Sequence, residues 1–332
     1  MPELQILILT VIVLALGFDF INGFHDTANA IATSVSTRAI KPRNAILMAA
    51  FLNFLGAMYS TGVAKTIGSD IVAGAHLVDE KIIIAALVGS IIWNLFTWRI
   101  ALPSSSSHAV VGGIVGAVLV SVGPSGLDYH GIGKIVLSLI ISPALAIATG
   151  FIVMSALFFI FRNFTPSSLN SHFKKMQILS AAAMAFAHGS NDAQKSMGII
   201  TLALLSGGYL SVFEVPDYVK ILCAMSMASG TAVGGWKIIR TIGAKIFKLE
   251  PINGFAADLN SSIVIFSATL LHLPVSTTHV VSGSIMGVGA AKRIRAVRWG
   301  VAQQMLVAWV LTIPCTAVMG ALAYQIVLWI FS

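Results

Sequence analysis

The sequence predicts an all-α polytopic membrane protein made of two inverted-topology repeats, with broken helices and two opposed helical hairpins. Three observations lead to this prediction. Apolar residues make up 57% of the 332 positions and charged residues only 10%, whereas soluble domains carry roughly 25% charged residues. The charged residues lie in short connections between long apolar runs. Two polar motifs also occur once in each half of the chain, in the same order.

The apolar runs are long enough to cross a bilayer, which takes about 20 apolar residues. The first run, Leu4 to Val35, has no basic region before it, so we expect a retained helix and not a signal peptide. The net charge of +8 does not indicate nucleic-acid binding, because the basic residues lie in short loops. Cys223 and Cys315 lie within apolar runs, which argues against a disulfide framework.

Basic residues concentrate in four of the connections. They are Arg38, Lys41 and Arg43; Arg162, Lys174 and Lys175; Lys237, Arg240, Lys245 and Lys248; and Lys292, Arg293, Arg295 and Arg298. The acids of the other connections are Asp70, Asp79, Glu80, Asp128, Glu214 and Asp217. Because cytoplasmic loops carry the excess of Lys and Arg, the first group is predicted to be cytoplasmic. This predicts a multi-pass protein of the cell (inner) membrane with both termini outside.

Two proline-containing segments must turn back on themselves in this topology. The chain enters from the outside at Ile82 and has to return to the outside, so we expect a turn at Pro103 and the serines after it. A second turn is expected at Pro274, in a segment that enters and leaves on the cytoplasmic side. The two hairpins are therefore predicted to reach into the membrane from opposite faces.

The two halves of the chain align on both polar motifs. The segment that ends in Gly23-Phe24-His25-Asp26 matches the one that ends in Gly189-Ser190-Asn191-Asp192 at an offset of 166 residues, and the two proline turns match at an offset of 171. Since the predicted topology runs the copies in opposite directions, the chain forms an inverted repeat, which secondary transporters use for alternating access. The predicted units are 1–161 and 176–332, joined by a cytoplasmic linker at 162–175.

The two proline turns are candidate anion sites. Each places hydroxyl groups and the free amides of a helix N-terminus at membrane depth, where the helix dipole favours a negative ligand. Two facing turns without an arginine fork favour a small tetrahedral oxyanion; the alternative is that the hydroxyl groups only cap two buried helices. The candidate anion ligands are Ser104, Ser105, Ser106, Ser107, Ser276, Thr277 and Thr278.

The carboxylates of Asp26 and Asp192 are candidate cation ligands. An unpaired charge at membrane depth costs at least about 2.5 kcal/mol, and neighbouring asparagines and unwound carbonyls could supply further oxygen ligands. Asn22-Gly23 is expected to break its helix for that purpose. Sodium and a proton both fit; the alternative is a structural ion pair of Asp192 with Lys195. The predicted sodium ligands are Asn22, Asp26, Asn191 and Asp192.

Six residues are secondary candidates for the site. They are His25, Asn29, His108, Lys195, Asp258 and His279. His108 and His279 are expected to hydrogen-bond the backbone of the turns, in a structural role. Asp258 precedes the second hairpin and is a further candidate cation ligand. Asp19 is a weaker one, because the second half has Ala185 at the equivalent position.

The duplicated motifs, His25-Asp26 after Gly23 and Asn191-Asp192 after Gly189 with the two Pro–Ser/Thr–His turns, resemble the inorganic phosphate transporter (PiT) family. The resemblance covers essentially the whole chain. It implies phosphate uptake driven by a cation gradient, sodium in many members and protons in others, and a fold that commonly forms a homodimer. It also implies that the aspartates serve a cation–phosphate centre and that the Ser/Thr turns hold phosphate. His25 departs from the usual Asn, Asp258 from the expected Glu, and the short central connection favours a prokaryotic member.

The resulting prediction is a secondary active symporter that imports inorganic phosphate with sodium by alternating access. The expected partners are phosphate, sodium or a proton, membrane lipid and a second copy of the chain, without nucleic acid. No cofactor is predicted, and sodium ions act as co-substrate. The alternatives are a proton-coupled phosphate carrier and a carrier of a related oxyanion, sulfate. An enzyme is not expected, because a Ser–His hydrolase would need a nucleophile elbow that the chain lacks, and opposed broken segments suit a channel less well than a carrier.

Overall fold

The computed structural model describes residues 2–74, 77–235, 238–239 and 241–331, and its secondary structure is helical. The first half contains α1 (Pro2–Ser36), α2 (Pro42–Ala57), α3 (Gly62–Ser69), α4 (Glu80–Arg99), α5 (Ser106–Ser121) and α6 (Tyr129–Ile160). The second half contains α7 (Pro166–Asp192), α8 (Gln194–Ser206), α9 (Asp217–Val233), α10 (Pro251–Leu270), α11 (Thr277–Lys292) and α12 (Trp299–Ile330). The connections contain three short helical turns: the 3-10 turns Pro124–Gly126 and Ile294–Ala296 and the π-helical turn Thr241–Lys245.

Four of the described helices are long and apolar enough to cross a membrane: α1, α4, α6 and α12. Helices α2 and α3 would form a fifth span together, with a bend of 72° between them. The structure therefore confirms the prediction of an all-α polytopic membrane protein that contains broken helices.

The apolar core is divided into two clusters. The first cluster includes Val11, Leu87, Leu139, Leu204 and Val327, and the second includes Ile31, Met154, Met184, Ile265 and Met305. Helices α1 and α6 run from the first cluster to the second, whereas α7–α8 and α12 run from the second to the first. Corresponding helices of the two halves thus run in opposite directions, which supports the predicted inverted repeat.

The two hairpins turn where the prolines predicted. Helices α4 and α5 pack mainly in the first apolar cluster, and α10 and α11 pack in the second. Their tips meet between the clusters: Ser107 Oγ donates a hydrogen bond to the Val275 carbonyl at 2.8 Å, and the rings of His108 and His279 are 4.6 Å apart. The hairpins therefore approach each other from opposite sides of the fold.

Each half packs against helices of the other half. Helix α5 packs on α12, and the corresponding α11 packs on α6. Helix α1 packs on α9, and the corresponding α7 packs on α2. This exchange of equivalent partners is expected of two units related by a two-fold axis in the membrane plane, and it means that neither half can bury its own core alone.

The connections also divide according to the apolar cluster that they contact. Residues from the four base-rich connections pack against the second cluster: Ile40, Phe161, Ile246 and Val297. Residues beside the acids of the other group pack against the first: Ile71, Val78, Leu127 and Val215. The base-rich and the acid-bearing connections thus lie at opposite apolar clusters, as the charge pattern predicts. Which of the two sides faces the cytoplasm stays a prediction. Lys237 and Arg240 lie outside the described residues.

One local expectation was wrong. Helix α1 continues without interruption through Asn22-Gly23, because Gly23 lets α9 approach closely: a Cβ atom there would meet the backbone of Met227 and Thr231. In the second half, the corresponding helix ends at Asp192, the last residue of its motif, and Ala193 lies between α7 and α8. Helix α7 begins at Pro166, within the predicted linker at 162–175, where proline is well suited to the first helical turn. The role of that linker stays a prediction.

Gly23→Ala is expected to destabilise the protein by about 1–3 kcal/mol, because the added methyl group forces α1 and α9 apart. Gly17→Ala is the matched control on the same helix, since no atom of another described helix lies within 4 Å of the place its Cβ would take. Alanine there should keep or raise stability. Thermal unfolding of the detergent-purified variants measures both effects, and equal Tm values would contradict this role of Gly23.

Candidate functional site

A polar layer lies between the two apolar clusters, where the hairpin tips meet. It contains both motif aspartates, with Asp26 2% exposed and Asp192 0% exposed. Helix α1 supplies Asp26, and Asp192 is the last residue of α7. The N-termini of α5 and α11 supply hydroxyl groups. Residues that are far apart in the sequence are thus collected at one buried place.

Asp26 accepts hydrogen bonds from both hairpins. Ser106 donates to its Oδ2 at 3.2 Å, and Thr278 donates to its Oδ1 at 3.2 Å. His25 Nδ1 lies 2.8 Å from the same Oδ1, while His25 Nε2 lies 3.3 Å from Thr97 Oγ1 on α4. These contacts hold α1 against the tips of both hairpins.

Asp192 lies at the centre of a second set of contacts. Its Oδ2 is 2.9 Å from Lys195 Nζ and accepts hydrogen bonds from Thr277 at 3.3 Å and from the Asn22 amide at 3.4 Å. His188 Nε2 lies 3.7 Å from the same oxygen. The ion pair with Lys195, which was the alternative to a cation site, is therefore present and forms part of the polar layer.

Contacts between the halves join the two sets. The Asn29 amide of the first half donates to Thr277 at 3.3 Å and to Thr278 at 2.9 Å. Lys195 of the second half donates to Ser106 of the first at 2.9 Å. Each aspartate motif thus reaches the hydroxyl turn of the opposite half, and the site is complete only when both halves are present.

The layer has the composition of a small cation site. One oxygen of each aspartate and a nitrogen of His188 lie within 4.8 Å of one another. The buried oxygens Asn22 Oδ1, Asn29 Oδ1 and Asp192 Oδ1 have no hydrogen-bond partner among the described residues. A buried acceptor without a partner costs about 1–3 kcal/mol, and hard cations take oxygen ligands of this kind. Two carboxylates face one lysine ammonium group in this layer.

Two of the seven hydroxyl candidates act as helix caps. Ser105 Oγ accepts the backbone N–H of His108 at 3.2 Å at the start of α5. Ser276 Oγ accepts the backbone N–H of His279 at 3.3 Å at the start of α11. The capping alternative therefore holds for Ser105 and Ser276. The hydroxyl groups that follow them, on Ser106, Thr277 and Thr278, contact the carboxylates instead.

Two further serines hold the turns in place. Ser104 donates to Thr97 at 2.8 Å within the first hairpin, and Ser107 donates to the second turn at the Val275 carbonyl. The hydroxyl groups that contact the two carboxylates are those of Ser106, Thr277 and Thr278.

Asn191 braces the second hairpin. Its amide nitrogen donates to Thr269 at 3.0 Å and to the Leu273 carbonyl at 3.3 Å, and its amide oxygen accepts from the Val275 N–H at 3.3 Å. Both ends of the side chain thus hold the hairpin that carries the second hydroxyl turn. The predicted sodium ligand has a positioning role in this structure.

The histidines of the turns pack against rings. The ring of His279 stacks on Trp309 at 3.9 Å and lies 4.6 Å from the ring of His108. Both histidines line a cavity of about 440 Å³ between α6 and α12 that is otherwise mainly apolar. The expected hydrogen bonds to the backbone of the turns do not form at His108 Nδ1 or His279 Nε2, which are buried without a partner among the described residues. The structural role of the two rings stays a prediction.

The remaining acidic candidates lie outside the central pair. Asp258 on α10 accepts a hydrogen bond from Thr33 of α1 at 2.5 Å. Asp19 on α1 accepts one from Ser196 of α8 at 2.7 Å. Each acid is paired with a hydroxyl group of a neighbouring helix, one toward each apolar cluster.

Sequence reasoning missed two polar contacts of the site. Thr97 was not a candidate, although it joins His25 to the first hairpin turn. Asn53 donates a hydrogen bond to Thr231 at 3.0 Å, and its oxygen also lies 3.1 Å from His188 Nδ1. Both are polar residues within apolar helices, and that signal marks functional positions in membrane proteins.

Lys195→Met is expected to destabilise the protein by about 3–5 kcal/mol in sodium-free buffer, because it leaves Asp192 buried without its counter-charge. Adding Asp192→Asn should recover much of the loss. Lys220→Met is the control, since its partner Asp217 is 86% exposed and water can replace the contact. Thermal unfolding distinguishes the cases: equal Tm values for the two lysine variants would show that the buried pair contributes nothing.

The chain is similar to known phosphate transporters along nearly its whole length. The model of the phosphate transporter family matches residues 22–320. A probable low-affinity inorganic phosphate transporter of Bacillus subtilis is 52% identical over 333 residues, covering 100% of both chains. A protein of the same description from Rhizobium meliloti is 45% identical over 96% of both chains.

A solved structure has the same fold. The structure described as the sodium-dependent phosphate transporter superposes with a TM-score of 0.88 at 27% identity, over 98% of this chain and 99% of that one. The family and the relatives are described as transporters, which confirms the prediction that the chain is not an enzyme. On the extent of the family match and the identity to its relatives, this chain belongs to the phosphate transporter family.

Proposed function

We propose that the chain is a secondary active symporter that imports inorganic phosphate together with a cation, sodium, by alternating access. The observation that carries this proposal is the buried pair of carboxylates surrounded by hydroxyl groups from two opposed hairpins. Family membership supports phosphate as the substrate, and the sodium dependence named for the structural neighbour supports the cation.

Phosphate would bind between the two hairpin tips. The N-termini of α5 and α11 bring partial positive charge to this place, and Ser106, Thr277 and Thr278 supply neutral donors. Neutral donors bind an anion without holding it as an arginine fork would, so release stays fast. A protonated phosphate oxygen can in turn donate to a carboxylate such as Asp26.

Sodium would bind beside the aspartates and balance the phosphate. The buried oxygens of Asn22, Asn29 and Asp192 that have no hydrogen-bond partner among the described residues are its candidate ligands. A bound cation lowers the electrostatic free energy of holding two carboxylates and an anion close together in a medium of low dielectric. Anion and cation therefore favour each other's binding, which is the physical basis of coupled transport.

Alternating access would follow from the two-cluster core. The carboxylates are buried beneath the first apolar cluster on one side and the second on the other. Tilting one hairpin with its partner helices would open one cluster at a time, since packed cores move between discrete arrangements. The inverted repeat of units 1–161 and 176–332 supplies two such arrangements of similar energy.

The cellular setting forms part of the same proposal. The base-rich connections at the second apolar cluster favour the cytoplasmic side, which would put both termini outside in the cell (inner) membrane. A homodimer surrounded by lipid remains the expected assembly.

Asp26→Asn and Asp192→Asn are each expected to reduce phosphate uptake to background, because each removes a negative charge that would attract and hold the coupling cation. Asp217→Asn is the matched control, since that carboxylate is exposed. Radiolabelled phosphate entering proteoliposomes is measured with an inward sodium gradient, with an inward proton gradient and with neither. Normal uptake by both site variants would refute the site, and uptake driven by protons alone would favour the proton-coupled alternative.

Excess sulfate is expected to leave phosphate uptake unchanged, whereas excess arsenate should inhibit it. Arsenate keeps a proton at neutral pH and can donate to a carboxylate, but sulfate cannot and would leave that acceptor unpaired beside a like charge. Competition in the same proteoliposomes measures this selectivity. Strong inhibition by sulfate would favour the carrier of related oxyanions.

A further inference from the structure

The two aspartate motifs differ in charge at one repeat-equivalent position. Three residues after Asp26 the first half has Asn29, and three residues after Asp192 the second half has Lys195. Both positions lie at the same offset of 166 residues as the aspartates themselves. An uncharged amide in one half therefore corresponds to an ammonium group in the other.

The two side chains occupy equivalent places in the structure. Asn29 Nδ2 donates to Thr277 Oγ1 at 3.3 Å, and Lys195 Nζ donates to Ser106 Oγ at 2.9 Å. Thr277 follows Ser106 by 171 residues, which is the offset of the proline turns. The ammonium nitrogen thus stands where the other half places an amide nitrogen.

Having lysine at position 195, where the first half has Asn29, removes an oxygen ligand from the second half and adds a fixed positive charge. Asn29 Oδ1 is buried and has no hydrogen-bond partner among the described residues, so the first half offers an acceptor to a cation. Lysine offers no acceptor. Its ammonium group is fully buried and lies 2.9 Å from Asp192, where a bound monovalent cation would serve the same electrostatic purpose.

We propose that Lys195 is a tethered cation that permanently fills the cation position of the second half. The chain then binds and moves one dissociable cation fewer per phosphate than it would with asparagine at this position. The assignment rests on the proposed symport and specifies its stoichiometry. It also explains why Lys195 reaches Ser106 of the opposite half, a contact that a pair serving only to neutralise Asp192 would not need.

Lys195→Asn gives the second half the residue of the first and tests the proposal. Binding of radiolabelled phosphate to the purified protein is measured as a function of sodium concentration, and the steepness of that dependence should rise by about one sodium ion. In proteoliposomes held at zero membrane potential with a tenfold sodium gradient, the plateau of phosphate accumulation should rise about tenfold. Lys220→Asn, which changes a partly buried lysine paired with the exposed Asp217, should change neither value.

Asn29→Lys is the reciprocal variant and should lower the sodium steepness by about one ion, which keeps the test decisive if Lys195→Asn fails to fold. Equal steepness for the wild type and the folded variant would overturn the proposal. Loss of phosphate binding by folded Lys195→Asn at every sodium concentration would overturn it too, since Lys195 would then be a phosphate ligand. A wild type that neither binds nor moves phosphate would instead refute the proposed function.

Discussion

Two buried carboxylates within 4.8 Å of each other are the electrostatic constraint on which the rest of the structure depends. Like charges at that distance in a medium of low dielectric repel strongly. The protein offsets the repulsion with one ammonium group, with hydroxyl donors from both hairpin turns and with the positive ends of two helices. Each of these groups needs an exact position, and the two apolar clusters provide it.

The exchange of partners between the halves follows from this constraint. Asp26 of the first half accepts from Thr278 of the second, and Lys195 of the second donates to Ser106 of the first. Packing shows the same exchange, with α5 against α12 and α11 against α6. A site shared in this way would change whenever one half moved relative to the other. In the proposed transport cycle it would therefore link the binding of ions to the motion of the halves.

The sequence was sufficient for the fold class and for the place of the hairpins, because charge, apolar runs and proline act locally. Pro103 and Pro274 each precede a helix that begins as expected. The continuity of α1 through Gly23 could not be predicted in this way, since its cause is the approach of α9, a contact between residues about 200 positions apart. Sequence also grouped all seven hydroxyl residues as anion ligands. Only the packed structure separates the caps Ser105 and Ser276 from the donors that contact carboxylates.

The asymmetry at Asn29 and Lys195 shows how a duplicated site can diverge without losing its geometry. Without the ammonium group of Lys195, the unloaded site would hold two carboxylates and no lysine; the ammonium group offsets one of the two negative charges. Because the cost of moving a buried charge rises with its magnitude, a tethered cation would ease the return of the unloaded carrier in the proposed transport cycle. It would do so at the expense of one coupling ion, since a charge that never dissociates cannot draw on an ion gradient. A symporter of the proposed kind would therefore concentrate its substrate less strongly, but it would return more easily when unloaded.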